Sequence, residues 1–227
     1  MKRLLLATAI ALGTALPAQA QVAPSAAEVA AYRGLHAAAQ KGDLTLLRQL
    51  VAAKADLNAR DSHGRTSLHV ATFARQHEAI SLLAAAGANL NLLENDRYDA
   101  VTIASVANDA DTLRLLLSLG ASTAQVTSRY DGTALIAAAH LGHADVVNQL
   151  IAAGAPLDHL NNLHWTALIE SIVLGDGGPR HQATLEALVH AGADVQLTDR
   201  QGQSPLALAK GLGHTAMVKV LEKAGAR

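Results

Sequence analysis

The chain has 227 residues, with 18 basic and 19 acidic side chains, half of its residues hydrophobic, only 2% aromatic, and no cysteine. A near-neutral balance without a basic cluster excludes nucleic acid as a partner, because counterion release needs concentrated positive charge. The missing thiols exclude disulfides and thiolate metal sites, so the fold must be held by a core of Ala, Leu and Val, a composition that suits closely packed helices.

The first element in chain order is MKRLLLATAIALGTALPAQA, residues 1–20: two cations (Lys2, Arg3), an apolar run from Leu4 to Leu16, then Pro17 and the small-x-small ending Ala18-Gln19-Ala20. This layout predicts a secretory signal peptide cleaved after Ala20. The run is shorter than the roughly 18 to 20 residues of a membrane span, and no later segment of that length is free of charge, so the chain reads as soluble and exported, to the periplasm of a Gram-negative cell or beyond it. Loss of Lys2 and Arg3 takes the 18 basic groups to 16 against 19 acidic ones. Residues 21–34 follow as an N-terminal lid segment, with a helix predicted from Ser25 to Tyr32.

From there a repeat sets the organisation. Gly-Ala pairs recur at Gly87, Gly120, Gly154, Gly192 and Gly225, at intervals of 33, 34, 38 and 33 residues, and Lys54-Ala55 stands 33 before the first. Each period carries a turn cluster, an apolar helical pattern, a short turn, a second helical pattern and the Gly-Ala. The units are 35–60, 61–93, 94–126, 127–160, 161–197 and 198–227; DSHGRTSLHVATFARQHEAISLLAAAGANLN (61–91) and DGTALIAAAHLGHADVVNQLIAAGAPLD (131–158) are the clearest copies. Such a unit buries its apolar face only by stacking on the next.

Thr66-Ser67-Leu68-His69, Thr133-Ala134-Leu135, Thr166-Ala167-Leu168 and Ser204-Pro205-Leu206, with Gly142-His143 and Gly213-His214, resemble the T-P-L-H and G-H segments of the ankyrin repeat. The resemblance covers 35–227. It implies an all-α solenoid of six helix-turn-helix units joined by short β-hairpin loops, non-catalytic and serving as a protein-protein interaction scaffold. Thr or Ser at the start of T-P-L-H would cap the inner helix, and the glycine before the last alanine would end the outer one. The first and last units read as caps. Unit three departs most, with Arg97-Tyr98-Asp99 in place of G-x-T and Asn108-Asp109 in place of G-H, which puts its hairpin and inner turn in doubt.

Four features invite chemistry. In SIVLGDGGPRHQ (171–182), Gly175 and His181 fall on the repeat's glycine and histidine positions, separated by five inserted residues, Asp176 to Arg180. Lengthening a connection from about 4 to about 9 residues costs only roughly 0.7 kcal/mol, so the insertion needs no function to persist. It lacks the lysine-hydroxyl pair of a phosphate loop. Pro179, with Gly178 before it, fits the first turn of the outer helix, and Asp176, Pro179 and Arg180 form a second contact loop, an extra finger at the end opposite the hairpin tips. GLGHTA (211–216) matches a dinucleotide fingerprint but lies between helices. His140-x-x-His143 is the one metal-like spacing, while His36, His69, His143, His181 and His214 sit at the repeat's own histidine positions. Ser67, His69 and Thr133 are helix-start residues. No catalytic residue, cofactor or metal is expected.

What remains is a stripe at the hairpin tips. The position before the T-P-L-H threonine carries Arg65, Tyr98, Gly132 and Trp165 in successive units, with Tyr130 nearby; three of the chain's five aromatics stand there. Aromatic and Arg residues dominate interfaces. The expected partner-binding set is Arg65, Arg97, Tyr98, Tyr130, His164, Trp165 and Arg200, on a monomer that binds another protein. Two other readings are an inhibitor or immunity factor for a toxin or hydrolase, and an accessory factor of an oxidative-stress enzyme.

Overall fold

The computed structural model describes residues 21–227; the expected signal peptide and its cleavage site lie outside the described residues. Among these the chain is all-α. A short helix α1 (Ala26–Ala31) precedes six pairs: α2 (Gly34–Lys41) and α3 (Leu44–Ala52), α4 (Ser67–Phe73) and α5 (His77–Ala85), α6 (Ala100–Val106) and α7 (Ala110–Ser118), α8 (Ala134–His140) and α9 (Ala144–Ala152), α10 (Ala167–Val173) and α11 (Pro179–His190), α12 (Pro205–Gly211) and α13 (Thr215–Lys223). The first helix of each pair stacks on the first of the next, and the second on the second, which gives an inner and an outer layer.

The inner helices start where a side chain can satisfy a free N–H. Thr133, Thr166 and Ser204 accept from Ile136, Ile169 and Ala207 N–H at 3.3 Å each, and Asp99 accepts from Thr102 N–H at 2.7 Å. The outer helices are amphipathic, and their fully buried residues recur at helical spacing: Ile80 and Leu83, Leu113 and Leu116, Val147 and Leu150, Leu185 and Leu188, Met217 and Leu221. Each such side chain contributes about 1.5 to 3 kcal/mol on burial. Together with the inner-layer alanines they form one continuous core.

Unit three keeps the common geometry. Asp99 replaces threonine as the cap of α6. Asn108 takes the left-handed conformation (φ 51°) that Gly142 takes in unit four (φ 66°). Asp109 stands for the turn histidine: it caps α7 through Thr112 N–H (3.1 Å) and reaches back to Arg75 Nε (3.2 Å). In units four and five that backward tether is an imidazole on a backbone carbonyl, His143 to Ser105 (3.0 Å) and His181 to His140 (3.0 Å).

The expected β-hairpins are tight turns. Two backbone bonds close most tips, the wider of them being Asp61 N–H to Arg65 O (2.9 Å), Glu94 N–H to Tyr98 O (2.9 Å), Asn161 N–H to Trp165 O (3.1 Å) and Asp199 N–H to Gln203 O (3.1 Å). Among the described residues only Thr127 and Gly132 form a β-bridge. The arms are too short to pair further, and the tips bond sideways to one another instead: Asn95 N–H to His63 O (2.9 Å), Ser128 N–H to Arg97 O (3.0 Å), Asn162 N–H to Tyr130 O (2.8 Å).

The insertion in unit five is no protruding finger. Its residues lengthen α11 to 12 residues against nine in α9, with Pro179 at the helix start and Gly178 as N-cap. Asp176 closes the loop by accepting from Gly178 N–H and bonding His181 Nδ1, both at 2.9 Å; those bonds, Gly178's first, hold its carboxyl below the ordinary range. The left-handed residue of this turn is Gly177 (φ 66°) and not Gly175, because the added residues carry the reversal past the consensus position. Gly175 is small for another reason: a Cβ there would lie 2.2 Å from Ser171 O. Gly175→Ala is therefore expected to lower stability by about 2 kcal/mol. Gly211→Ala, in a helix with nothing within 4 Å of its Cβ position, should be neutral or raise it by up to about 1 kcal/mol. Urea denaturation of the two variants checks the contrast.

Candidate functional site

The tip residues meet different fates. Arg65 is 1% exposed, which corrects its place in the exposed stripe. It turns inward: Nε donates to Asp61 Oδ2 at 2.7 Å, and Nη2 reaches Glu28 of α1. Tyr32, the C-cap of α1, donates its hydroxyl to the same Asp61 oxygen at 2.9 Å. The segment expected as a lid thus buries no residue of α1 and is held on the second tip by charge. Burial raises the Asp61 carboxyl, but the bonds from Arg65, Tyr32 and His63 N–H more than offset it and leave the group below its ordinary value. Glu28 is drawn down to about 2, first by its bonds from Ser25 and then by Arg65. Ligand atoms of Glu28, Asp61 and His63 all lie within 4.8 Å of one another; the cation between the two carboxylates is the Arg65 guanidinium.

The remaining charged members link neighbouring tips. Arg97 Nη1 binds Asp131 Oδ1 (2.7 Å), His164 Nδ1 lies 3.2 Å from Thr198 O, and Arg200 donates to Asn162 O. All three are exposed at their outer edges. Tyr98 and Trp165 are half-buried and Tyr130 is 38% exposed. Burial pushes the Tyr98 hydroxyl up. Asp176, Pro179 and Arg180 are exposed, on the opposite turn.

Behind the tips of units three to five lies a cavity of about 150 Å³, formed on one side by Tyr98, Arg129 and Tyr130 and on the other by Ile136, Ala137 and His140 of α8 and by Glu170 of α10. Gln21 and Val22 form part of its rim. Glu170 is 5% exposed. Its Oε1 accepts from Asn161 Nδ2 at 2.9 Å. Its Oε2 accepts no hydrogen bond and lies 3.2 Å from His140 Nδ1, an ion-pair contact when that ring is protonated.

Sequence reasoning missed Glu170, although a signal exists. Four residues after the helix-capping position the other units place Val70, Ile103, Ala137 and Leu208; a carboxylate in that apolar column costs desolvation unless something meets it. His69, at the repeat's own histidine position, is a structural group. Its Nδ1 accepts from Thr66 N–H (3.0 Å) and its Nε2–H donates to Leu92 O (2.9 Å). No helix among the described residues is long and apolar enough to cross a membrane.

The model of ankyrin repeats (3 copies) matches residues 35–127 and 122–199. The Escherichia coli K12 ankyrin repeat protein YahD is 33% identical over 190 residues, 83% of this chain and 94% of its own length. Among solved structures, an ankyrin repeat domain from Acinetobacter baumannii superposes with a TM-score of 0.80 at 40% identity, over 85% of this chain and 98% of that one. A chain from the complex of the Bdellovibrio bacteriovorus predatory endopeptidase Bd0816 with immunity protein Bd3460 gives 0.69 at 28% identity, over 85% and 98%. Stacked helix pairs, capped inner helices, bonded tips and these matches lead to one assignment: the chain belongs to the ankyrin-repeat family.

Proposed function

We propose that this protein is an exported, non-catalytic scaffold that binds one protein partner through the tips and inner-helix face of units three to five. The observation that carries the reading is the tip ladder itself. Backbone bonds and the Arg97–Asp131 pair hold the backbone of Tyr98, Tyr130 and Trp165 in place, the two tyrosines beside a cavity, so that large side chains are offered from a tip that has little order left to gain. Export rests on the N-terminal sequence pattern alone. The protein recovered from a periplasmic fraction should begin at Gln21.

The partner test is capture from periplasmic extract by the wild-type protein and by a Tyr130→Ala, Trp165→Ala variant whose circular dichroism is unchanged. Loss of two interface aromatics is expected to weaken capture of the principal partner by about thirtyfold or more. Equal capture of the same proteins by both would remove the tips from the interface.

A narrower second reading is favoured by the likeness to a chain of the endopeptidase–immunity protein complex: an inhibitor that masks a hydrolase in the same compartment. It expects a single dominant partner with hydrolytic activity, which is lost when this protein is added. A partner whose activity is unaffected would discard the inhibitor reading while leaving the scaffold.

A further inference from the structure

We infer that the cavity behind the tips of units three to five is a binding site for one cationic side chain, arginine or lysine, presented by the partner, with Glu170 Oε2 as its charged anchor. The inference rests on the reading of this face as the partner surface and specifies what that surface selects.

Three features point to a cation. First, Glu170 is held for the purpose of presenting one oxygen: Asn161 Nδ2 fixes Oε1, and Asn161 is itself positioned because its Oδ1 accepts from Leu163 and Trp165 N–H at 2.9 and 3.0 Å. Second, Glu170 is one of the residues that line the cavity, and its Oε2 is buried and accepts no hydrogen bond. A buried carboxylate oxygen left open is costly, and an incoming N–H donor with a positive charge relieves the cost and gains a charge-assisted bond. Third, the walls suit an aliphatic stem. Ile136 and Ala137 lie on one side and the aromatic rings of Tyr98 and Tyr130 on the other, where a guanidinium or ammonium also finds π-faces.

The size agrees. About 150 Å³ is below the roughly 300 Å³ at which small-molecule pockets begin, and it accommodates one side chain and no folded element. The other charged groups around the cavity are Asp96 and Arg129, which lie 3.9 Å apart and largely cancel, His140, whose Nδ1 lies 3.2 Å from Oε2, and, in a chain that begins at Gln21, the amino group of that rim residue. Net negative charge at the floor therefore comes from Glu170.

The test uses the whole exported chain and four blocked amino acids as probes: Nα-acetyl methylamides of arginine, lysine, citrulline and norleucine. Binding is read from NMR shifts of the Ile136 methyls and the His140 ring. Saturable shifts are expected with arginine and lysine, their ratio reporting whether the site prefers guanidinium or ammonium, and none with citrulline or norleucine, which match the shape without the charge. Glu170→Gln keeps an oxygen for Asn161 and is expected to leave the melting temperature nearly unchanged while weakening both cations by about tenfold or more. Equal shifts with citrulline and arginine, no saturation with either cation, or cation binding untouched in Glu170→Gln would each overturn the inference. These outcomes stand apart from the partner test, since capture sensitive to Tyr130 and Trp165 but indifferent to Glu170 would keep the interface and discard its cation site.

Discussion

Arg65→Met is expected to destabilise the protein by about 3 kcal/mol, the low end of what breaking a buried ion pair costs. Arg65 is 1% exposed and bonded to Asp61 and Glu28. Methionine fills much of the same volume, but it leaves Asp61, whose side chain is 10% exposed, with a charge and no cation beside it. Glu28 is 26% exposed and recovers part of its solvation, which is why the low end applies. Removing the glutamate instead is milder and local: Glu28→Gln should free α1 from the second tip and raise hydrogen exchange at residues 26–32 while the repeats keep their protection. Urea denaturation checks the arginine variant. A loss under about 1 kcal/mol would mean that the clamp is solvated and that Asp61 needs no partner.

The second large effect is a loss of stability on acidification from pH 6.5 to about 4, and its source is His69. Burial lowers its imidazole from 6.5 to about 4 by desolvating the charged form; Nδ1 also accepts Thr66 N–H, a bond that a proton there would break. Above pH 6.5 neither folded nor unfolded chain protonates this ring. Between 6.5 and 4 the unfolded chain takes up a proton that the folded one refuses, so stability falls with pH, by up to about 3 kcal/mol over the interval. Burial lowers His143 too and adds in the same direction. Glu28 and Asp61, whose folded values lie below their ordinary ones, lose their contributions only at lower pH, below about 4.5. His69→Gln, which can accept from Thr66 and donate to Leu92, should flatten the profile between pH 6.5 and 4.5. An unchanged slope in that variant would assign the acid sensitivity elsewhere.

Much of the fold could be read from the chain because the repeat states each physical requirement several times. Threonine or serine before the inner helix, glycine or asparagine after it, and leucine or valine pairs on the outer helix recur in step. Even the replacements in unit three obey the same logic: Asp99 caps as threonine does, Asn108 tolerates the left-handed turn, and Asp109 reaches back as histidine does. What spacing could not convey was which way a tip residue turns. Arg65 occupies the same column as Tyr98 and Trp165, yet it folds inward, because Glu28 and Asp61 supply two carboxylates there and α1 brings one of them from outside the repeats. The inserted residues of unit five are legible as an insertion with Pro179 in the first turn of the outer helix, but the closure of Asp176 on His181, which draws the loop back onto the repeat, is not.

Glu170 illustrates the opposite gap. Its column is apolar in units two, three, four and six, so the departure was visible; its meaning required the cavity, the Asn161 bond on one oxygen and the open position on the other. The same comparison separates the tip residues into those that bind neighbouring tips (Arg97, Arg200), one that is buried (Arg65), and the tyrosines that stand beside the cavity (Tyr98, Tyr130).

The most direct test of an interface on the tips and inner-helix face is hydrogen exchange on the complex with the captured partner, compared with the free protein. Added protection is expected at residues 94–101, 127–140 and 161–170, with the outer helices α7, α9 and α11 unchanged. Protection confined to those outer helices, or to the turn at 175–181, would contradict it.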